Sequence, residues 1–305
     1  MSPREAVARH WDALASLADY VALTKPRVTA MMLYTTAVGY WLGWPEGQSG
    51  MASPDPGGLI RTLLGTSLVG GGTLALNMYL ERDLDARMSR TRRRPVPDGR
   101  IAPTEALAFG GALTAAGLLY LMLAVNAVCA MVTALTVVTY LFVYTPMKRH
   151  SALCTVAGAF PGALPPLTGW TAAGGALDVQ AAVIFGILFF WQLPHALAIA
   201  HLYREDYQRA GIKLLPTEDP HGGSTGRQAV VQAVALLSVG LLPALTGLAG
   251  PIYFSVALLM GSWILVRSAR LAVTSSQLDA RRLLMATYLY VPIVFTTMAL
   301  SRAAG

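Results

Sequence analysis

The stretch Leu76-Asn77-Met78-Tyr79-Leu80-Glu81-Arg82-Asp83-Leu84-Asp85-Ala86-Arg87-Met88-Ser89-Arg90-Thr91-Arg92-Arg93-Arg94-Pro95 begins inside an apolar run and ends in a cluster of arginines. Asn77, Glu81 and Asp85 recur every four residues. At 3.6 residues per turn they share one helical face, drifting by roughly 40° per step. Three oxygen-bearing side chains therefore stack at the mouth of a hydrophobic helix. Acids near a helix C-terminus oppose the macrodipole by about 0.3–1 kcal/mol each. Carboxylates near hydrocarbon also carry a penalty unless paired. Something positive must compensate. Arg82, Arg87 and Arg90 are one source. A hard divalent metal is another: oxygen-only ligands that leave room for water suit Mg²⁺, which binds through a few carboxylates plus substrate phosphates. The plainer alternative is a solvated, salt-bridged helix end.

Working outward, the 305-residue chain is 54% hydrophobic and only 13% charged, where soluble domains carry about 25%. With repeated apolar runs of bilayer length, this is the composition of an all-α, polytopic membrane protein. Nine transmembrane helices in one bundle around a central cavity are expected, at roughly 28–45, 58–80, 103–124, 126–146, 151–172, 179–202, 228–248, 251–267 and 284–301. The net charge of +7 does not call for nucleic acid, because Lys and Arg also set topology. With the N-terminus inside, the inner face receives Lys25 and Arg27, the Arg82–Arg100 cluster, Lys148 and Arg149, Arg204 to Arg227, and Arg267 to Arg282. Tyr40, Trp41, Trp44, Trp170 and Tyr253 fall near the outer ends, as an aromatic belt requires. Residues 1–24 read as a cytoplasmic N-terminal segment without signal-peptide character. Cys129 and Cys154 lie in apolar runs and read as small buried hydrophobes.

Other polar groups accompany the stripe. Asp83 falls off it and is open to an ion pair with Arg87 or to a side approach to the metal. A second acidic loop, Tyr203-Arg204-Glu205-Asp206-Tyr207, closes the sixth span as the first closes the second. Two such loops facing one cavity would hold two Mg²⁺ ions around a diphosphate; alone, the second reads as a charged loop that sets topology. Arg90, Arg93, Arg94, Lys148 and Arg149 are cations in excess of what orientation needs, suited to diphosphate. His195 follows Pro194 inside the sixth span, where a histidine serves as haem ligand, base or hydrogen-bonded core residue. Gly162, Pro161, Pro165 and Pro166 loosen a helix beside close packing or a wide cleft.

These pieces resemble the protohaem IX farnesyltransferase (haem O synthase) family, within the intramembrane prenyltransferase superfamily of 4-hydroxybenzoate polyprenyltransferase. The resemblance rests on Leu23-Thr24-Lys25-Pro26-Arg27-Val28-Thr29, on Asn77 through Pro97, and on Tyr144-Thr145 with Lys148-Arg149. It rests further on Gly162 through Trp170, and on Trp191-Gln192-Leu193-Pro194-His195 running on to Tyr207. Glu81 departs from the pattern, which more often has Asp there, and the second acidic motif is matched with assurance only at Asp206.

The resemblance implies a transmembrane prenyltransferase domain over 25–305, in a prokaryotic inner membrane with its acidic loops inside. It implies catalysis by Asn77, Glu81, Asp85 and Asp206, and Mg²⁺ on those four with Glu205. Diphosphate would lie on Arg90, Arg94, Lys148 and Arg149, and haem on His195. The substrates would be farnesyl diphosphate and haem B, the product haem O, and the next partner a downstream haem-modifying enzyme. Rival readings are a related enzyme prenylating an aromatic or chlorin acceptor, and a secondary transporter for an anion.

Overall fold

A helical stretch over residues 17–23 leads into α1 (Pro26–Gly43), which opens on a proline whose missing N–H needs no partner there. Helix α2 (Pro56–Asp85) opens the same way, and Asp55 caps it by accepting from the Gly57 and Gly58 amides at 2.9 and 2.8 Å. The chain continues through α3 (Pro103–Ala124), α4 (Ala127–Met147), α5 (Cys154–Gly162), α6 (Pro165–Ala172) and α7 (Val179–Leu202). Two short helices, α8 (Arg204–Ala210) and α9 (Leu215–Glu218), precede α10 (Gly223–Leu245), α11 (Pro251–Thr274) and α12 (Gln277–Ala303). This computed structural model describes residues 17–45, 55–219 and 221–303, and contains no strand among them. Most of the expected cytoplasmic segment, residues 1–16, lies outside the described residues.

Among the described residues, seven helices, α2, α3, α4, α7, α10, α11 and α12, are long and apolar enough to cross a bilayer. The other two expected spans have a different build. Helix α1 has 18 residues and buries Thr29, Thr35 and Thr36. The fifth span is broken into α5 and α6. Ala163 donates to Phe160 O instead of continuing the α ladder, and Pro165 has no N–H to offer. The Ala159 carbonyl released at the break accepts from Gln192 Nε2 of α7 at 3.3 Å. A side chain from a neighbouring helix thus satisfies backbone that hydrocarbon would leave bare.

Two interfaces depend on glycine. A Cβ on Gly39 or Gly169 would stand 2.0 Å from Pro166 O or 1.9 Å from Thr36 O, so α1 and α6 cross with their backbones in contact. Gly72 and Gly110 play the same part where α2 meets α3. The largest apolar core joins α7, α10, α11 and α12, with Tyr253, Tyr290 and Phe295 fully buried.

Contacts between helix ends sort into two poles. At one, Lys25 meets Asn77, Lys148 meets Glu81, the Lys213 amide meets Lys148 O, and Gln277 meets His201 O. At the other, Asn126 meets Thr171 O, Gln180 meets Thr246 O, and Arg302 meets Trp44 O. The first pole holds both acidic loops.

Candidate functional site

The expected stripe exists. Asn77, Glu81 and Asp85 lie on one face of α2, with only 1%, 8% and 1% of their surfaces exposed. Burial of two carboxylates at that depth requires cations, and the chain supplies one to each. Lys148 Nζ lies 2.5 Å from Glu81 Oε1, and Arg94 Nη1 lies 2.6 Å from Asp85 Oδ2. Asn77 Oδ1 accepts from Lys25 Nζ at 3.0 Å, while its amide donates to Thr145 Oγ1 at 3.2 Å. Three cations therefore meet two acids in one buried pocket. The two lysines differ in consequence. Burial, and then the charge of Arg94, push Lys25 down to about 7. Burial also works against the charge of Lys148, but Tyr144 and Glu81 outweigh it and hold the ammonium well above the usual lysine range.

Local structure places each group. Arg94 reaches back to Asp85 because residues 86–99 coil into successive turns, with Thr91 Oγ1 donating to Asp85 O at 2.9 Å. Val96 and Ile101 anchor this coil by burial beside Leu23, Ala75 and Met78. At the end of α4 a π-helical turn, Thr139–Tyr144, widens the helix, and Thr145 Oγ1 donates back to Tyr140 O at 2.8 Å. The turn sets Tyr140 beside Tyr144, tilted by 47° with ring centroids 5.4 Å apart, and Lys148 Nζ lies 4.3 Å over the Tyr144 ring. Gly158 makes room for that ring, since a Cβ would fall 2.5 Å from it.

The second acidic loop contacts the arginine loop that follows α2. Asp206 Oδ1 and Oδ2 accept from the Ser89 and Arg90 amides at 3.3 and 3.4 Å, and the carboxylate pairs with Arg209. Burial pushes the Asp206 carboxyl up, but Arg209 and the Ser89 and Arg90 amides hold it below the usual carboxylate range. Asp206 thus clasps the arginine loop to α8. Glu205 is exposed and makes no ion pair or hydrogen bond among the described residues. No group of three or more His, Cys, Asp or Glu side chains gathers as a metal site among the described residues. Of the five residues expected on the metal, Asn77, Glu81 and Asp85 share the α2 face, Asp206 lies against Arg209 and two loop amides, and Glu205 is exposed. The stripe itself fits a hard cation, since its donors are an amide oxygen and two carboxylates.

The expected diphosphate cations divide likewise. Lys148 and Arg94 are in the pocket. Arg90 is exposed, with its guanidinium 5.1 Å over the Tyr203 ring and 3.3 Å from Tyr207 Oη. Arg149 is exposed and joins Glu81 and His150 in lining a cavity of about 360 Å³ between α2 and α4. Asp83 is exposed and lies 3.9 Å from Arg82, not on Arg87. His195 lies apart from the stripe, between α7 and α12, with Nδ1 2.9 Å from Thr287 Oγ1. Sequence reasoning passed over Lys25, which it counted as a topology charge, and Thr287, for which it had no signal.

An all-helical bundle whose long helices are apolar enough to cross a bilayer, with oxygen donors and cations gathered at one pole, is an integral, multi-pass membrane protein. The model of the UbiA prenyltransferase family matches residues 32–291, and the chain belongs to that family. It is 45% identical over 287 residues to a protoheme IX farnesyltransferase of Solibacter usitatus, covering 93% of this chain and 98% of the relative. It is 42% identical over 293 residues to a protein of the same name from Koribacter versatilis, covering 94% of each. Among solved structures, a digeranylgeranylglyceryl phosphate synthase superposes with TM-score 0.78 at 15% identity, over 95% of this chain and all of that one (100%). A UbiA homologue of Archaeoglobus fulgidus bound to GPP and Mg²⁺ superposes with TM-score 0.62 at 17% identity, over 92% and 99% of the two chains.

Proposed function

We propose that the protein transfers the farnesyl group of farnesyl diphosphate to a vinyl group of haem B, with addition of water, giving haem O. The observation that carries this reading is the pocket at the end of α2. Lys25, Lys148 and Arg94 converge on Asn77, Glu81 and Asp85 at the mouth of an apolar bundle. A polyanion with a long apolar tail fits such a place: the head replaces ion pairs and the tail enters hydrocarbon. The relatives named protoheme IX farnesyltransferase narrow the substrates.

In this mechanism Lys148, Arg94 and Lys25 hold the diphosphate as the bond between farnesyl C1 and its oxygen breaks and the electron pair leaves with the diphosphate. Asn77, Glu81 and Asp85 would hold Mg²⁺, which supplies Lewis-acid neutralisation of the leaving group. The bundle shields the allylic cation from water until the vinyl π electrons of haem form the new carbon–carbon bond. Water then adds at the remaining cationic carbon and loses a proton. Asp206 acts by holding the Ser89–Arg94 loop in place, and His195 contacts haem. The membrane is a prokaryotic inner membrane, with residues 1–24 and the acidic loops in the cytoplasm, and a haem-modifying enzyme takes the product.

Purified protein in detergent with haem B, farnesyl diphosphate and Mg²⁺, read by mass spectrometry, tests the reaction. Haem O formation that stops with chelator is expected. Prenylation of an aromatic acceptor but not haem would move the protein to a sister activity. No turnover with any acceptor would favour anion transport, against which stands the location of the acids at one pole instead of the midplane.

A further inference from the structure

His195 lies seven residues before the end of α7, about 10 Å of helix rise, which is close to the depth of Asn77 in α2. Its Nδ1 is 2.9 Å from Thr287 Oγ1. Taken alone, that contact allows either atom to be the donor. Thr287 resolves it, because its Oγ1 is also 2.7 Å from the Leu284 carbonyl oxygen. Two oxygens at that separation repel unless a proton lies between them, and a carbonyl has none to give. The single hydroxyl proton is thereby committed to Leu284 O. Thr287 Oγ1 can then only accept from His195, so Nδ1 carries the hydrogen and Nε2 keeps its lone pair.

The rest of the environment fixes the ring. Trp191 stacks on it with centroids 5.0 Å apart and an interplanar angle of 22°. Trp191 Nε1 donates to Thr287 O at 2.7 Å, so Thr287 is tied to α7 through both its carbonyl and its hydroxyl. Tyr288 meets the imidazole edge-on at 5.2 Å. Nε2 has no hydrogen-bond partner among the described residues.

We propose that Thr287 is a positioning residue that locks His195 in the Nδ1–H tautomer and so presents Nε2 as an axial ligand to the iron of the substrate haem. The proposal rests on the assignment of His195 to haem made above. A neutral imidazole with a free Nε2 is a metal ligand, and the group accepting from its other nitrogen sets orientation and basicity. A hydroxyl acceptor pushes less charge onto the ring than a carboxylate. The resulting iron bond is weaker, which suits a haem that must leave as product.

The test is a titration of haem B into the purified full chain in detergent, without farnesyl diphosphate, read by Soret absorbance and resonance Raman. The parent shows an iron–histidine band that His195→Ala loses. Thr287→Ser keeps the acceptor and binds haem within about 3-fold of the parent, whereas Thr287→Val weakens binding by about 10–100-fold and shifts the band. Thr287→Val with parental affinity and spectrum, beside a His195→Ala that loses the band, overturns the positioning role while His195 still holds haem. An unchanged band in His195→Ala overturns the assignment beneath it and the proposal together. Independently of any variant's folding, ¹⁵N-histidine NMR of the haem-free parent reads the tautomer. Hydrogen on Nδ1 is expected, and hydrogen on Nε2 contradicts the proposal.

Discussion

The two polar regions of this bundle handle burial in opposite ways. At the end of α2 every buried acid has a cation within 2.6 Å, drawn from the end of α4 or from the arginine coil. Between α7 and α12 the buried polar groups are neutral: an imidazole, a hydroxyl, an indole and backbone carbonyls. The first region is built to exchange one set of ion pairs for another with the proposed anion. The second carries no charge and fits the proposed role of holding a flat acceptor by geometry. The proposed function uses the first for the diphosphate and the second for the acceptor.

The largest expected effect comes from neutralising the stripe. Asp85→Asn, and separately Glu81→Gln, should lower the rate of haem O formation by roughly 100-fold or more, measured by mass spectrometry, with haem affinity unmoved. Equal loss of haem binding would break the division. Next is Lys148→Met, which leaves Glu81 buried without its partner and should cost about 3–5 kcal/mol in detergent unfolding. Adding Glu81→Gln to it should restore most of that stability, which sharpens the claim that pairing and not packing holds the region. Gly169→Ala, which drives a Cβ against Thr36 O, should cost about 1–3 kcal/mol by thermal unfolding and leave the chemistry alone in the protein that remains folded. The smallest effect belongs to Glu205→Gln. With no partner among the described residues, it should change turnover by less than about 2-fold, in line with ordinary surface substitutions.

The i, i+4 spacing of Asn77, Glu81 and Asp85 was legible because helix geometry alone puts them on one face. Their cations were not. Arg94 comes back to Asp85 only because residues 86–99 coil, and Lys25 reaches Asn77 from another helix, a contact that sequence spacing does not encode. That Asp206 meets two loop amides and Arg209 was not legible, because the contacts to Ser89 and Arg90 join loops far apart in sequence. Pro161, Gly162 and Pro165 marked the fifth span as loosened, and the structure breaks it there. The π-helical turn that brings Tyr140 and Tyr144 together has no composition of its own. Thr287 was invisible because its meaning lies in two contacts to another helix, to His195 and Trp191 of α7.

The most direct test of the division is to measure both ligands against both regions. Farnesyl diphosphate binding by calorimetry and haem B binding by Soret titration would be run on the parent, Asp85→Asn and His195→Ala. Asp85→Asn is expected to weaken only the diphosphate ligand and His195→Ala only haem. A variant in either region that weakens both ligands alike, while remaining folded, would contradict the division.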